Sequence, residues 1–212
     1  MIRRLSRRAL MRRAVSVSAL GAVPRVAFAQ AAAVDAAPYV NLAPAAAQTL
    51  EAIVARLIPS DASGPGAFEA GAARYIDRAL GDALAAASER YTSGLAAVDA
   101  YAQRTAGLPF AALSPERQDA LLRDLERNAA TGFSPSSAAF FDMVVGHTLE
   151  GTFGDPHYGG NRDFIGWDLI DYPGLRLSVT ADEQRMRADL RSARLSAYDL
   201  PMFDADDEHD DR

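Results

Sequence analysis

The chain has 212 residues, with 22 Lys+Arg against 28 Asp+Glu and a formal net charge of −6. It contains neither Lys nor Cys, which excludes lysine Schiff-base chemistry, disulfides, thiolate nucleophiles and cysteine-ligated clusters. The first 29 residues hold seven Arg and no acid, so the remainder has 15 basic and 28 acidic residues, a net charge of −13. This remainder argues against nucleic acid as a partner, because neutralising phosphates needs a basic face.

The first 29 residues have the three-part layout of an export signal: a basic arm, an apolar run and a small-x-small cleavage pattern. Ser6–Met11 resembles the twin-arginine signal, and the apolar run Ala14–Val23 is too short for a bilayer, which takes about 20 residues. Residues 1–29 are therefore predicted to be a twin-arginine export signal that directs the protein to the periplasm. The alternatives are a basic amphipathic arm or a transit peptide. The prediction depends on Arg7, Arg8, Ala27 and Ala29.

The choice of export route itself carries information about function. The twin-arginine route carries proteins that are already folded, often with a cofactor in place. A chain without Cys and without a cofactor motif has little need of that route for itself. The signal therefore suggests that the passenger is another protein, bound to this one.

Helical patterns dominate the chain after an Ala- and Pro-rich tether at residues 30–46, and no segment alternates with the period of a strand. We predict an all-α fold, a compact helical bundle of about six helices in a domain spanning residues 47–203. Residues 204–212 hold six acidic residues and are predicted to be a disordered tail. The helices are expected at about residues 48–58, 67–87, 90–105, 115–128, 135–149 and 181–195.

Two stretches are too particular for generic helix packing. In the corner at residues 59–67, a proline ends a helix, an aspartate can form an Asx-turn and Gly-Pro-Gly makes a sharp bend. The glycine-rich loop at residues 151–179 holds the only Trp and is expected to be ordered. Its aromatic residues are interface anchors in one interpretation, and core residues that cap their own bundle in the other. The residues singled out are Pro59, Asp61, Gly66, Asp155, Pro156, Tyr158, Gly159, Gly160, Asn161, Trp167 and Tyr172.

The sequence offers little that could carry catalysis. No serine sits in a nucleophile elbow, and no dinucleotide-binding glycine fingerprint follows a strand. The histidines suggest a metal site as an alternative, because His147 and Glu150 could share a helix face at i, i+3. Asp155 and His157 follow them and could join the site. A partly buried His147 that hydrogen-bonds a loop carbonyl is the simpler interpretation, and a metal-dependent periplasmic enzyme built on these four residues is kept as the alternative function.

The corner and the glycine-rich loop belong to a series of short blocks along the chain. The blocks are Ile58–Asp61, Gly64–Gly71, Tyr75–Asp77, Phe110, Ser114–Gln118, Asp155–Asn161, Gly166–Trp167 and Tyr172–Gly174. In this order they resemble the gluconate 2-dehydrogenase subunit 3 family over about residues 45–175, and Asp-Pro-x-Tyr-Gly-Gly-Asn at 155–161 is the most specific block. One departure is Asp171, where the family pattern leads us to expect Gly before Tyr-Pro-Gly.

The resemblance implies a small subunit of a periplasmic or membrane-associated sugar or sugar-acid dehydrogenase. Its large partner would be a flavoprotein of the glucose–methanol–choline type that binds FAD and performs the hydride chemistry. A cytochrome c subunit, with haem c, often takes the electrons in such complexes. The small subunit would present the signal to the twin-arginine translocation machinery for both chains and help the large one to mature. We therefore expect a non-catalytic accessory subunit with no cofactor and no metal of its own.

Overall fold

The computed structural model of the chain describes residues 38–185 and 194–203. Within these ranges the protein is all-α: six α-helices are joined by turns and short 3-10 helices, and there is no β-strand. The predicted fold class is thus confirmed. The predicted export signal at 1–29 and the predicted tail at 204–212 lie outside the described residues. The α-helices are α1 (Pro44–Leu57), α2 (Ala72–Ala79), α3 (Ser88–Ala106), α4 (Pro115–Glu126), α5 (Ser137–Phe153) and α6 (Ile165–Leu169).

The hydrophobic core lies where α1, α3, α4 and α5 pack together, and α2 packs along α5. Leu50 and Val54 of α1 fill its centre and are fully buried, as is Leu95 of α3. Burying an apolar side chain of this size stabilises the fold by about 1.5–3 kcal/mol. Helix α5 approaches α3 so closely that a Cβ at Gly94 would lie 2.2 Å from the ring of Phe140. This packing holds α5 in place, and the end of α5 leads into the glycine-rich loop.

Polar contacts fix the relative positions of α1, α3 and α4. The Asp99 carboxylate of α3 accepts hydrogen bonds from Thr49 Oγ1 of α1 at 2.8 Å and from the N–H of Phe110 at 2.9 Å. Arg56 of α1 pairs with both carboxylate oxygens of Asp119 on α4, at 2.7 and 2.9 Å. A bidentate pair of this kind fixes orientation as well as distance, because the guanidinium and the carboxylate must be coplanar.

The predicted helix at residues 67–87 is wrong in its extent. Turns precede α2, and its N-cap residue Gly71 has φ 79, in the left-handed region where a helix cannot continue. After Ala79 the chain turns again, and the N–H of Gly81 bonds the carbonyl three residues back. Glycine is a poor helix former, which favours an end at this point. Within the predicted range only Ala72–Ala79 is an α-helix, and a 3-10 turn follows at Ala85–Ala87.

The two Ser-Pro pairs differ in how they relate to the helix starts. Ser114 is the N-cap residue of α4 and Pro115 is its first residue, as predicted, although the Ser114 side chain bonds no N–H of the helix. The predicted start of α5 at residues 134–135 is wrong by two residues. Ser136 is the true N-cap, because its side chain accepts the N–H of Ala139 at 3.1 Å.

The predicted helix at residues 181–195 lies largely outside the described residues. Its capping box is present, since the N–H of Thr180 donates to Glu183 at 2.7 Å and the N–H of Glu183 to Thr180 at 3.4 Å. Residues 181–185 nevertheless form turns, and 186–193 lie outside the described residues. A capping box satisfies two groups at a helix start, but packing supplies most of a helix's stability. The sixth helix is α6, inside the glycine-rich loop.

One carboxylate clamps the start of the described chain to α2. Asp77 is buried and accepts the backbone N–H groups of Val40, Asn41 and Leu42 at 2.8–2.9 Å. The Asn41 side chain returns a hydrogen bond to the carbonyl of Asp77 at 2.6 Å. Three donors compensate a buried carboxylate that would otherwise be costly. Because α1 begins soon afterwards, at Pro44, the last part of the predicted tether is packed onto the helical domain.

Candidate functional site

The corner is a tight turn that only glycine can close. Helix α1 ends before Pro59, as predicted, and Asp61 forms the predicted Asx-turn by accepting the N–H of Ser63 at 2.7 Å. A Cβ at Gly66 would lie 2.2 Å from the carbonyl oxygen of Ile58, well inside contact distance. The corner thus brings the chain back against the end of α1, and its shape depends on backbone contact at Gly66.

The glycine-rich loop folds back on the end of α5, to which its first three residues belong. A Cβ at Gly160 would lie 2.1 Å from the carbonyl oxygen of Gly151. A Cβ at Gly166 would lie 1.7 Å from the carbonyl oxygen of Thr152. Real Cβ atoms do not approach backbone this closely, so these two glycines permit main chain to pack directly on main chain.

Asn161 holds this arrangement together from the inside. It is fully buried, and its Nδ2 donates to the carbonyl of Gly154 at 2.8 Å while its Oδ1 accepts the N–H of Gly166 at 2.8 Å. Its own N–H donates to the carbonyl of Gly151 at 2.7 Å. The backbone of Asn161 is left-handed, with φ 43, and Gly159 before it has φ 88. The Gly-Gly-Asn block therefore stabilises the fold of the loop through contacts within the chain.

The large aromatic residues of the loop divide between the interior and the surface. Trp167 is only 6% exposed, and its Nε1 donates to the carbonyl of Phe153 at 2.9 Å. Tyr172 packs edge-on against the indole, with ring centroids 4.9 Å apart, and is 41% exposed. Tyr158 is 54% exposed. Trp167 thus caps its own bundle, and Tyr158 and Tyr172 are the two rings that a partner could reach.

Arg162 of the loop contacts the residues that follow the corner, although it was not among the residues singled out from the sequence. The N–H of Arg162 donates to the carbonyl of Ala70 at 3.0 Å, and its Nη2 donates to the carbonyl of Glu69 at 2.9 Å. A Cβ at Gly64 would lie 3.1 Å from Cδ2 of Leu169, so α6 also touches the corner. No local pattern marks Arg162, because its two partners lie more than 90 residues earlier in the chain.

Asp155 organises the turn that opens the most specific block. Its carboxylate accepts the N–H of His157 at 2.9 Å, which starts a 3-10 helix whose first residue is Pro156. It also accepts Ser196 Oγ at 2.6 Å and the N–H of Ala197 at 3.0 Å. Burial on its own raises the pKa of Asp155, but these hydrogen bonds and the nearby His157 outweigh it and lower the pKa below its ordinary value.

Asp171 adopts the backbone conformation that explains the glycine expected there. Its φ is 54, in the left-handed region that glycine enters without steric cost. We expect Asp171→Gly to raise the free energy of unfolding by about 0.5 kcal/mol, because relief of about 1 kcal/mol of backbone strain exceeds the added entropy of the unfolded chain. Urea unfolding followed by Trp167 fluorescence measures it. A clear loss of stability would show that the Asp171 side chain has a stabilising role.

The metal-site hypothesis is not supported by the structure. His147 Nδ1 lies 2.9 Å from the hydroxyl of the buried Tyr91, and Glu150 accepts a hydrogen bond from Tyr75 at 3.1 Å. Within residues 38–185 and 194–203, no group of three His, Asp or Glu side chains is arranged to hold a metal ion. The residues that the hypothesis places together are His147, Glu150, Asp155 and His157.

His147 should make stability depend on pH. Burial lowers the pKa of its imidazole below the ordinary 6.5; Glu150 opposes that shift and Arg90 adds to it. The unfolded chain therefore binds a proton more readily, so the free energy of unfolding falls as pH drops from 6.5 through the folded pKa. Replacing His147 with Gln should flatten this slope between about pH 7 and about pH 5. Urea titrations at several pH values test it, and an unchanged slope would contradict the assignment.

The residues after α6 expose apolar side chains. Ile170, Leu177 and Val179 are all at least half exposed, and Leu177 reaches 69%. No helix in the described part of the chain has the length and apolar character needed to cross a bilayer. Exposed apolar and aromatic side chains are typical of protein–protein interfaces.

One known family matches most of the helical domain. A family model described as gluconate 2-dehydrogenase subunit 3 matches residues 44–174, from the first residue of α1 through the Tyr-Pro-Gly that follows α6. Neither the curated proteins nor the solved structures include a significant match to the chain.

Proposed function

Because this chain belongs to the gluconate 2-dehydrogenase subunit 3 family, we propose that it is the non-catalytic small subunit of an FAD-dependent dehydrogenase complex. It binds a flavoprotein of the glucose–methanol–choline type, helps it to mature and is exported with it to the periplasm. The flavoprotein holds FAD and oxidises a sugar or sugar acid, and a cytochrome c subunit with haem c receives the electrons. The observation that carries the proposal is the family match, which includes both the corner and the Asp155–Asn161 block.

The geometry supports a binding role for the loop. Its buried residues Asn161 and Trp167 make their hydrogen bonds within the chain. These contacts make the loop a fixed platform, so little conformational entropy is lost when a partner binds. The side chains left for a partner are exposed tyrosines and aliphatic residues, among them Tyr172 and Leu177.

A tagged pull-down from a native periplasmic extract tests the partner. The eluate should show flavin absorption and a second protein of roughly two to three times the mass of this chain, and haem bands would identify the cytochrome. Leu177→Ser should lower the captured flavoprotein at least threefold. Leu108→Ser is the matched control, because Leu108 is also exposed, at 46%, but lies after α3 and outside the loop. A colourless eluate with this chain alone would contradict the proposal.

Co-export has its own test in the signal. Replacing both Arg7 and Arg8 with Lys should leave this chain and the flavoprotein together in the cytoplasm, since the large subunit has no other route in this proposal. Flavin-dependent sugar oxidation measured in periplasmic and cytoplasmic fractions reports the outcome. Periplasmic flavoprotein at the normal level in this variant would show that the large subunit is exported independently.

A further inference from the structure

The segment at residues 194–203, which we call the strap, lies against the turn that opens the Asp155–Asn161 block. The Asp155 carboxylate accepts Ser196 Oγ at 2.6 Å and the N–H of Ala197 at 3.0 Å. Ser196 and Asp199 close a capping box on a short 3-10 helix within the strap, with the N–H of Ser196 donating to Asp199 at 2.7 Å. The strap therefore has a defined conformation where it meets the block.

Aromatic contacts complete the attachment. The Tyr198 ring stacks on the imidazole of His157, with centroids 3.7 Å apart and planes inclined by 14°. The hydroxyls of Tyr198 and Tyr158 lie 2.7 Å apart. The strap thus contacts three neighbouring groups of the block, namely a carboxylate, an imidazole face and a phenol, while the rest of His157 and Tyr158 stays exposed.

The strap is attached at the surface and not through the hydrophobic core. None of its side chains belongs to the core cluster. Among its apolar residues, Met202 and Phe203 are exposed, and Leu195, Ala197 and Leu200 are only partly buried. A second contact, from Arg194 to the Asp168 carboxylate at 2.5 Å, joins two exposed side chains. Segments held by few buried apolar contacts open at low free energy compared with the core.

The strap lies outside the part of the chain that matches the family, whereas the surface it contacts lies inside that part. The family match ends at residue 174, before the strap begins, whereas the covered Asp155, His157 and Tyr158 lie inside it. A segment from outside the family match is therefore placed on the family's most specific block. This is the position expected of an occupant that competes with a partner for the same surface.

We propose that the turn at Asp155–Tyr158 is a docking surface for the dehydrogenase subunit and that the strap blocks it in cis until that subunit displaces it. This inference rests on the proposed function. The strap also shows what the surface binds: a peptide segment that offers a hydroxyl, a backbone N–H and, two residues after the hydroxyl, an aromatic ring. The partner segment is expected to have this Ser-x-Tyr chemistry.

Peptide binding tests the surface without the partner. A fluorescein-labelled peptide of residues 194–203 is titrated into a chain lacking residues 194–212 and into a matched chain lacking only 204–212, which keeps the strap. The first chain should bind the peptide at least tenfold more tightly. Its Trp167 emission checks that the loop is still folded. Equal binding to both chains, or no binding to the first with native Trp167 emission, would overturn the proposal.

Point variants give the same answer without truncation. In the full chain, Tyr198→Ala should raise affinity for the peptide at least threefold, because the strap loses its stack on His157. Met202→Ala is the matched control, since Met202 lies in the same segment and is 63% exposed. An unchanged affinity in Tyr198→Ala would also overturn the proposal.

Capture of the dehydrogenase subunit then tests the partner. The chain lacking 194–212 should capture at least threefold more flavoprotein from a periplasmic extract than the chain lacking 204–212. Equal capture, with peptide binding as expected, would show that the subunit docks elsewhere and would overturn this inference alone. If neither chain captures a flavoprotein, the proposed function itself fails.

Discussion

Replacing Asn161 with Ala should lower the free energy of unfolding by about 4 kcal/mol. The variant leaves the partly buried carbonyl of Gly154 and the buried N–H of Gly166 without their partner, and such a loss costs about 1–3 kcal/mol for a buried group. It also places alanine at φ 43, which adds about 1 kcal/mol because alanine lacks the short polar side chain that makes Asn tolerant of the left-handed region. Urea unfolding monitored by Trp167 fluorescence measures the change.

Two control variants separate these causes. Asn161→Gly keeps the left-handed backbone free of strain and loses only the side-chain hydrogen bonds, so it should cost about 3 kcal/mol. Asn128 also has a positive φ, 58, but is exposed, and its Oδ1 accepts a single long hydrogen bond from Ser137 Oγ at 3.3 Å. Asn128→Ala should therefore cost only about 1.5 kcal/mol. If Asn161→Ala costs no more than Asn128→Ala, the buried hydrogen bonds do not stabilise the loop.

Alanine at Gly160 or Gly166 should cost at least about 3 kcal/mol, because relieving the clash requires main chain to move away from α5. The added Cβ would lie 2.1 Å from the carbonyl oxygen of Gly151 in the first variant and 1.7 Å from that of Thr152 in the second. A flexible side chain could rotate out of the way, but these carbonyls are part of a helix packed into the core. Thermal unfolding and the Trp167 emission maximum should both report a displaced loop.

Gly146 provides the matched control for these two variants. It lies in α5, and a Cβ built there has no neighbouring atom within 4 Å. Gly146→Ala should therefore stabilise the protein by about 1 kcal/mol, the usual gain for this exchange inside a helix. Equal destabilisation by alanine at 146 and at 166 would mean that close backbone contact does not explain the loss at 166.

The helices that could be predicted are those whose signals are local. Apolar spacing and a terminal proline locate the end of α1, and the Ser114–Pro115 pair locates the start of α4. Helix α3 ends at Ala106, and Gly107 follows as its C-cap with φ 75. By contrast, the residues at 67–87 are compatible with one long helix, and only the left-handed backbone of Gly71 shows where α2 begins.

The loop shows where prediction from residue types stops. The sequence identifies Trp167 as a large amphipathic side chain but cannot tell which way it points. Its direction depends on the Phe153 carbonyl 14 residues earlier. Arg162 is harder still, because its partners are main-chain carbonyls of Glu69 and Ala70, which leave no complementary residue type to search for.

The contacts of Asp77 could not be predicted from the sequence for a related reason. The groups it holds at Val40, Asn41 and Leu42 are main-chain amides, which every amino acid except proline provides. The three hydrogen bonds therefore depend little on which amino acids stand at 40–42. A different segment joined ahead of Pro38 would leave this anchorage intact, so the helical domain could be given another N-terminal extension and keep its own contacts.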